Sequence, residues 1–290
     1  MSAAQTIQWF PGHMAKTGRL MEKNLKLVDA VAEVIDARIP ASSRNPDLER
    51  MIRGRRRVIV MNKSDLADSA RTREWLDFFG RAGTPAVAVD CRSGKGLGGF
   101  EPLIRSVLKE RIDGWERKGM KGLALRVMVV GIPNVGKSSL INRLSKGKAA
   151  AVEDRPGVTR TSRWFPVGKS LELFDTPGVL WPKLGDSKVG EHLAFTGAVK
   201  DEILDPELLA ARLLEVLRDD GYEAELRRRY ALEGDLSAAG GHDLLEMAGR
   251  KRGMLLRGGE IDSLRAAVAV LDEFRGGRFG CVTLERAAAE

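Results

Sequence analysis

Residues 127–140, VMVVGIPNVGKSSL, constrain this chain more than any other stretch: a β-branched apolar run stops at a glycine and gives way to a helix start. Gly131, Gly136, Lys137 and Ser138 fit the G-x-x-x-x-G-K-[ST] spacing of a phosphate-binding loop. Glycines at those places let consecutive backbone N–H groups turn inward around phosphate oxygens, and the following helix points its positive end at the same spot. Lys137 then reaches the β- and γ-phosphates and Ser138 holds Mg2+. A chance glycine-rich turn is the rival reading, and the strand before and helix after count against it.

Two further tetrapeptides take their meaning from that loop. The strand at 57–61 (RVIVM) runs into Asn62, Lys63, Ser64 and Asp65, an N-K-x-D element at the carboxyl end of a strand, where open α/β sheets bind ligands. A carboxylate at Asp65 accepts hydrogen bonds from both the ring N–H and the exocyclic amine of guanine. Adenine would leave it partly unpaired, and that penalty discriminates. Asn62 and Lys63 would brace the loop and cover the base. The strand at 171–174 ends in Asp175, Thr176, Pro177 and Gly178, an acid followed by a glycine that can approach a γ-phosphate. Alone, NKSD and DTPG are polar turns.

Ordinary GTP-binding domains run phosphate loop, switch threonine, DxxG, then N-K-x-D, and here N-K-x-D comes first. Strands joined by surface loops can be cut in one place and rejoined in another without changing which are neighbours. The order therefore predicts a circularly permuted α/β domain, with a mostly parallel sheet flanked by helices, and places the segment after DTPG directly before the carboxyl-terminal region. An aromatic arm (8–14, QWFPGHM) and a helix (16–27) lead into strands at 28–36, 57–61 and 85–89, the last ending in Asp90, Cys91 and Arg92. Helices are predicted at 48–53, 71–82 and 98–118, and strands pair at 164–167 and 171–174. From about 194 the periodicity is helical, at 206–218, 224–230, 242–252 and 262–274. Residues 1–190 are read as the nucleotide domain with its arm, and 191–290 as a small all-α domain.

Charge separates the same two parts. Residues 1–199 hold 34 Lys+Arg against 21 Asp+Glu, whereas 200–290 hold 14 against 19. A basic excess of that size suggests a phosphate-rich partner larger than one nucleotide, for which RNA is the economical candidate; a merely soluble basic surface is the alternative. No run approaches the roughly eighteen apolar residues needed to cross a bilayer, and the start of the chain has no charged segment leading into an apolar one. Cys91 and Cys281 are too few for a disulfide framework or a cysteine-rich zinc site. The expectation is a monomeric, cytoplasmic protein away from membranes.

These elements together resemble the ribosome biogenesis GTPase A (YlqF) family of circularly permuted GTPases, over essentially the whole chain. The residues that carry the likeness are QWFPGHMAK at the start, DARIP and NP within 36–46, MNKSD, GIPNVGKSS, RPGVTR, DTPG, and the late GGEID and RFG. The resemblance implies a GTPase acting in late assembly of the large ribosomal subunit, with both domains approaching ribosomal RNA. It also implies GTP and GDP as ligands, with Asn62, Lys63 and Asp65 on guanine. The phosphates fall to residues 131–139, including Asn134, Val135, Gly136, Lys137, Ser138 and Ser139, and Mg2+ to Ser138 and Thr159. Asp175 serves as a further metal-side acid, and Asp175 to Gly178 sense the γ-phosphate. Val179 stands where many signalling GTPases carry a water-orienting glutamine, which predicts slow unaided hydrolysis. His13 resembles the family histidine suspected of assisting catalysis, the alternative being a turn histidine. Asn134 resembles a residue that helps bind K+, the alternative being an asparagine that tolerates an unusual backbone angle. Rival functional readings are a nucleotide-gated RNA-binding scaffold with incidental hydrolysis and a permuted GTPase acting on the small subunit.

Overall fold

The computed structural model of the protein describes residues 21–120, 122–146, 163–178, 187–199 and 204–288. Six strands form one sheet: β1 (Ala30–Asp36), β2 (Arg57–Asn62), β3 (Ala86–Ala88), β4 (Leu125–Val130), β5 (Arg163–Val167) and β6 (Leu171–Asp175). Their order across the sheet is β3-β2-β1-β4-β6-β5. All neighbours are parallel except β5, which pairs antiparallel with β6 at the edge. The strand feeding the phosphate loop, β4, lies in the interior of the sheet between β1 and β6. The first three strands of the chain thus occupy one flank of β4 and the last two the other, as the permuted order of motifs predicts.

Parallel strands covered on both faces read as continuous apolar runs, and every residue of β1 is buried. One face of the sheet, with Ala32, Val34, Val127 and Val129, packs into a core that continues without a break into Leu213, Leu214, Leu244 and Phe274 of the carboxyl-terminal helices. The opposite face holds Val31, Met128 and Val130 beneath Leu48 and Ile52. A second cluster on it gathers Ile35, Ile59 and Met61 under Trp75 and Phe79.

Between the strands run helices α1 (Pro46–Met51), α2 (Ser69–Arg81), α3 (Phe100–Val107), α4 (Lys109–Arg117) and α5 (Lys137–Leu144). Asn45 and Asp68 cap α1 and α2, each carboxamide or carboxylate oxygen accepting from two orphan N–H groups of the first turn. The single helix predicted over 98–118 is two. Leu108, with φ −103 and ψ 9, separates α3 from α4. The bend keeps Leu108 buried and Ile112 and Trp115 packed against the core. Beyond the sheet come α6 (Ser187–Phe195), α7 (Pro206–Leu217), α8 (Glu223–Tyr230), α9 (Gly241–Lys251) and α10 (Ser263–Arg275), each within about two residues of its predicted bounds where a prediction was made. After α10 the chain turns back, and residues 281–285 lie along the loops that follow β1 and β2. No helix among the described residues is long and apolar enough to cross a membrane.

Candidate nucleotide-binding site

The phosphate loop begins where β4 ends. Gly131 has φ 149, and a Cβ there would stand 2.4 Å from the Val34 carbonyl oxygen. Gly136 has φ 95, and a Cβ would sit 2.2 Å from Nδ2 of Asn62. Side chains fit neither the angle nor the space, so the motif's glycines are steric requirements. Asn134 also adopts a left-handed angle, φ 61, and its amide donates to the Gly197 carbonyl at 2.7 Å. That geometry matches the turn-asparagine alternative and ties the loop to the segment after α6. Ser138 and Ser139 occupy the first turn of α5, both half-buried.

Lys137 is buried and donates from Nζ to the Ile132 carbonyl at 2.7 Å. Burial pushes its ammonium down to about 8, partly offset by the carboxylate of Asp175. Asp175, at the end of β6, is pushed up to about 6 by burial, against the opposing pull of Lys137, the Thr176 N–H and the Ser138 hydroxyl. Its Oδ1 is buried with no hydrogen-bond partner among the described residues. An orphaned carboxylate oxygen beside a serine hydroxyl suits a hard cation that takes oxygen ligands and keeps several waters. Ser138 and Asp175 therefore fit Mg2+. Gly178 closes this end: a Cβ on it would fall 2.8 Å from the Pro133 nitrogen and 2.9 Å from the Lys137 ammonium. His13, Thr159 and Val179 lie outside the described residues.

The other end is assembled from distant segments. Asn62 donates from Nδ2 to the Val135 carbonyl at 2.7 Å and accepts at Oδ1 from the Cys91 N–H at 3.2 Å. One side chain thus joins N-K-S-D, the phosphate loop and the loop after β3. Asp65 is exposed, and its carboxylate, with that of Asp90, adds to burial in raising the Cys91 thiol to about 12. The backbone N–H groups of Asp90, Cys91 and Arg92 are all engaged within the protein, that of Asp90 by the Lys95 carbonyl at 2.9 Å. Cys91 gives its N–H to Asn62, and Arg92 and Ser93 give theirs to the Asp90 carboxylate at 2.7 and 3.1 Å. Burial works against ionised Asp90, but hydrogen bonds from Ser93 and the Arg92 N–H outweigh it and hold the carboxyl below its usual range.

Lys63, with φ 60, turns its ammonium to Asp36 at 2.9 Å. Asp36 is 2 % exposed and also receives Nε and Nη2 of Arg38 at 3.0 and 2.7 Å. Burial opposes its ionisation, yet the two cations hold it far below the ordinary carboxylate range. Arg38, itself 1 % exposed, donates to the Phe274 carbonyl at 3.4 Å and lies over that ring. The lysine expected over the base is thus anchored to the helical layer through two buried residues. DARIP was visible as a motif, but nothing in its spacing gave Asp36 or Arg38 this role.

The returning tail completes the support. Val282 N–H donates to the Leu66 carbonyl at 2.9 Å, Leu284 N–H to the Arg38 carbonyl at 2.8 Å, and Cys281 Sγ lies 3.4 Å from the Asp65 carbonyl. Thr283 Oγ1 accepts from the Asp68 N–H at 3.0 Å and donates to the Ala37 carbonyl at 3.3 Å. Glu285 accepts from the Ala41 and Ser42 N–H groups and lies 3.0 Å from Nδ1 of buried His192.

Comparison with known proteins agrees with this geometry. A family model described as a 50S ribosome-binding GTPase matches residues 126–225. Ribosome biogenesis GTPase A of Bacillus licheniformis is 45% identical over 283 residues, covering 97% of this chain and 98% of the relative. The crystal structure of GNP-bound YlqF from T. maritima superposes with a TM-score of 0.65 at 26% identity, over 95% of this chain and 100% of that one. The GDP-bound form gives the same TM-score and identity over 92% and 99%.

Proposed function

The chain belongs to the ribosome biogenesis GTPase A family, and from that premise we propose that this P-loop GTP hydrolase engages the maturing large ribosomal subunit in its GTP state and leaves after hydrolysis. The observation that carries the nucleotide assignment is the double hydrogen bond of Asn62, which draws the base element and the phosphate loop into one pocket. Asp65 reads guanine from the exposed rim of that pocket. Lys137 and the backbone N–H groups of the loop at 131–139, Pro133 apart, grip the phosphates, and Ser138, Asp175 and Thr159 would hold Mg2+, which would supply positive charge to offset that of the phosphates. Gly178, beside Lys137, is the backbone that registers the γ-phosphate.

Attack on the γ-phosphate is by water, and catalysis of this kind is mostly positioning and electrostatics. With valine at 179, this chain offers no carboxamide there to orient that water. We assign the completion of the site to the ribosomal partner, with His13 as the side chain it brings into use. K+ rests on the resemblance at Asn134 alone, and equal turnover in K+ and Na+ would remove it. The division into a nucleotide domain (1–190) and a helical domain (191–290) follows the same reading, as does a cytosolic place of action.

Two measurements test the function. Asp65→Asn should collapse the preference for GTP over ATP by about a hundredfold, because a site built to pair a base edge rejects the wrong edge strongly; unchanged preference would remove Asp65 from base reading. Co-sedimentation with separated ribosomal subunits should show large-subunit binding with a non-hydrolysable GTP analogue and little with GDP. Equal binding in both states, or binding to the small subunit, would overturn the cycle proposed.

A further inference from the structure

The amino-terminal end of the sheet, opposite the nucleotide, carries more positive charge than nucleotide binding uses. Residues 50–57, RMIRGRRR, place five arginines in eight positions with no acid among them. Arg50, Arg53, Arg55, Arg56 and Arg57 line a groove of about 1010 Å3, with Lys109 at the start of α4 also on its wall. Two acids, Glu49 and Glu110, share that lining with the six cations. We propose that this groove docks the sugar–phosphate backbone of ribosomal RNA, a proposal that rests on the ribosomal reading above and adds the surface that meets the RNA.

The cations are arranged for exchange with phosphate. Arg57 is fixed at the base of the groove by Glu49 at 3.4 Å, the Thr84 hydroxyl at 3.2 Å and buried Glu33 at 3.8 Å. Arg50 pairs with Asp47 and Arg56 with Glu110, but the two arginines are 71% and 60% exposed. Exposed pairs of this kind contribute little to stability and yield readily to a competing anion. Arg53, Arg55 and Lys109 are exposed and make no ion pair among the described residues. Gly54 and Gly83 line the groove with open space where a side chain would stand, so a polymer backbone can approach closely.

The residue types select RNA over a lipid surface. Guanidinium forks match phosphate oxygens bidentately, whereas a lysine acts as a point charge. A membrane-docking face combines such charge with apolar side chains that insert, and none of the exposed large hydrophobic residues lines this groove. The groove stands at the start of β2 and the nucleotide beyond its end, the two ends of the strand lying five positions apart, or roughly 17 Å at about 3.3 Å per strand residue. RNA and GTP can therefore be bound together.

The triple variant Arg53→Gln, Arg55→Gln, Lys109→Gln removes three cations without stranding an acid. Binding of the full-length protein to purified large-subunit ribosomal RNA is measured across a salt series, with GTP affinity as the control for folding. Each phosphate contact contributes about 0.7 to 0.9 to the slope of log affinity against log salt, so the variant's slope should be shallower by about 2 to 3. Between roughly 50 and 200 mM salt the wild type should then lose about 20- to 40-fold more affinity than the variant. GTP affinity should be the same in both. An unchanged slope in a variant that still binds GTP, no RNA binding by the wild type at low salt, or a stronger response to anionic phospholipid vesicles than to RNA would each overturn the groove assignment. Loss of large-subunit co-sedimentation by the wild type would instead count against the function from which it starts.

Discussion

The two ends of the nucleotide site are built by opposite means. The phosphate end comes largely from residues 131–139, and it holds its charges under stress: a buried ammonium lowered to about 8, a buried carboxylate raised to about 6, and one carboxylate oxygen with no partner among the described residues. At the base end, Asp36, Arg38, Asn62, Lys63 and Asp90 satisfy one another or the neighbouring backbone, and the carboxyls of Asp36 and Asp90 are held low. The base end satisfies its charges from within the protein, whereas the phosphate end leaves charge for a ligand to offset. A mutation should therefore reduce stability at one end and affinity at the other.

The largest effect tests the base end. Asp36→Ala strands the buried Arg38 without its counter-charge, and removing one member of a buried pair costs about 3 to 5 kcal/mol. Urea unfolding of the nucleotide-free protein should show that loss; a change under about 1 kcal/mol would break the claim that the chain braces this end by itself. Next is Lys137→Met, which should weaken GTP binding more than about a hundredfold, near 3 kcal/mol. Its nucleotide-free stability should hold or rise, because the desolvation cost of the ammonium is gone. Parallel losses of stability and affinity in both variants would erase the contrast.

Titration sharpens the phosphate end further. Asp175 has a raised value, so its proton stabilises the empty fold fully below about pH 4, and that contribution fades as the pH rises through about 6. At the proposed site, Mg2+ would compete with the same proton. Mg2+-dependent GTP affinity should fall about tenfold from pH 7 to pH 5, and Lys137 should cause a second decline above about pH 8. Calorimetry across that range checks both limbs, and a flat profile would mean that neither group titrates against ligand. The smallest effect belongs to the tail. Thr283→Val keeps the shape but leaves the Asp68 N–H and the Ala37 carbonyl without their partner, costing about 1 to 2 kcal/mol. Because both groups flank base-end loops, GTP affinity should move with it by only a few fold.

The same contrast governs how much was legible beforehand. The phosphate loop's pattern lies in one turn of backbone and the first residues of a helix, so spacing alone singled out Gly131, Gly136, Lys137 and Ser138. Strand positions followed from apolar runs bounded by turn formers, and motif order predicted the permuted sheet. The helix over 98–118 was read as continuous because its periodicity carries through Leu108, where the backbone bends to keep the apolar face on the core. Glu33 sat in a stretch that read only as a buried strand and Asp36 stood out only as the start of DARIP, and their ion partners were unpredictable because pairing is a property of position in space.

What the chain's order of residues determined by itself was a pattern confined to a few neighbours: which loop has the glycine spacing of a phosphate cradle, which acid stands at a strand end for the proposed reading of a base, and in what order the strands are supplied. Only the tertiary structure decided that Arg38 would reach Phe274, 236 positions away, or that residues 281–285 would return to support the loop carrying Asp65. Local motifs act through backbone angles that a handful of residues fix. Long-range contacts form only after burial of a shared core has overcome the entropy of closing loops of that length, and no short pattern records which partners then meet.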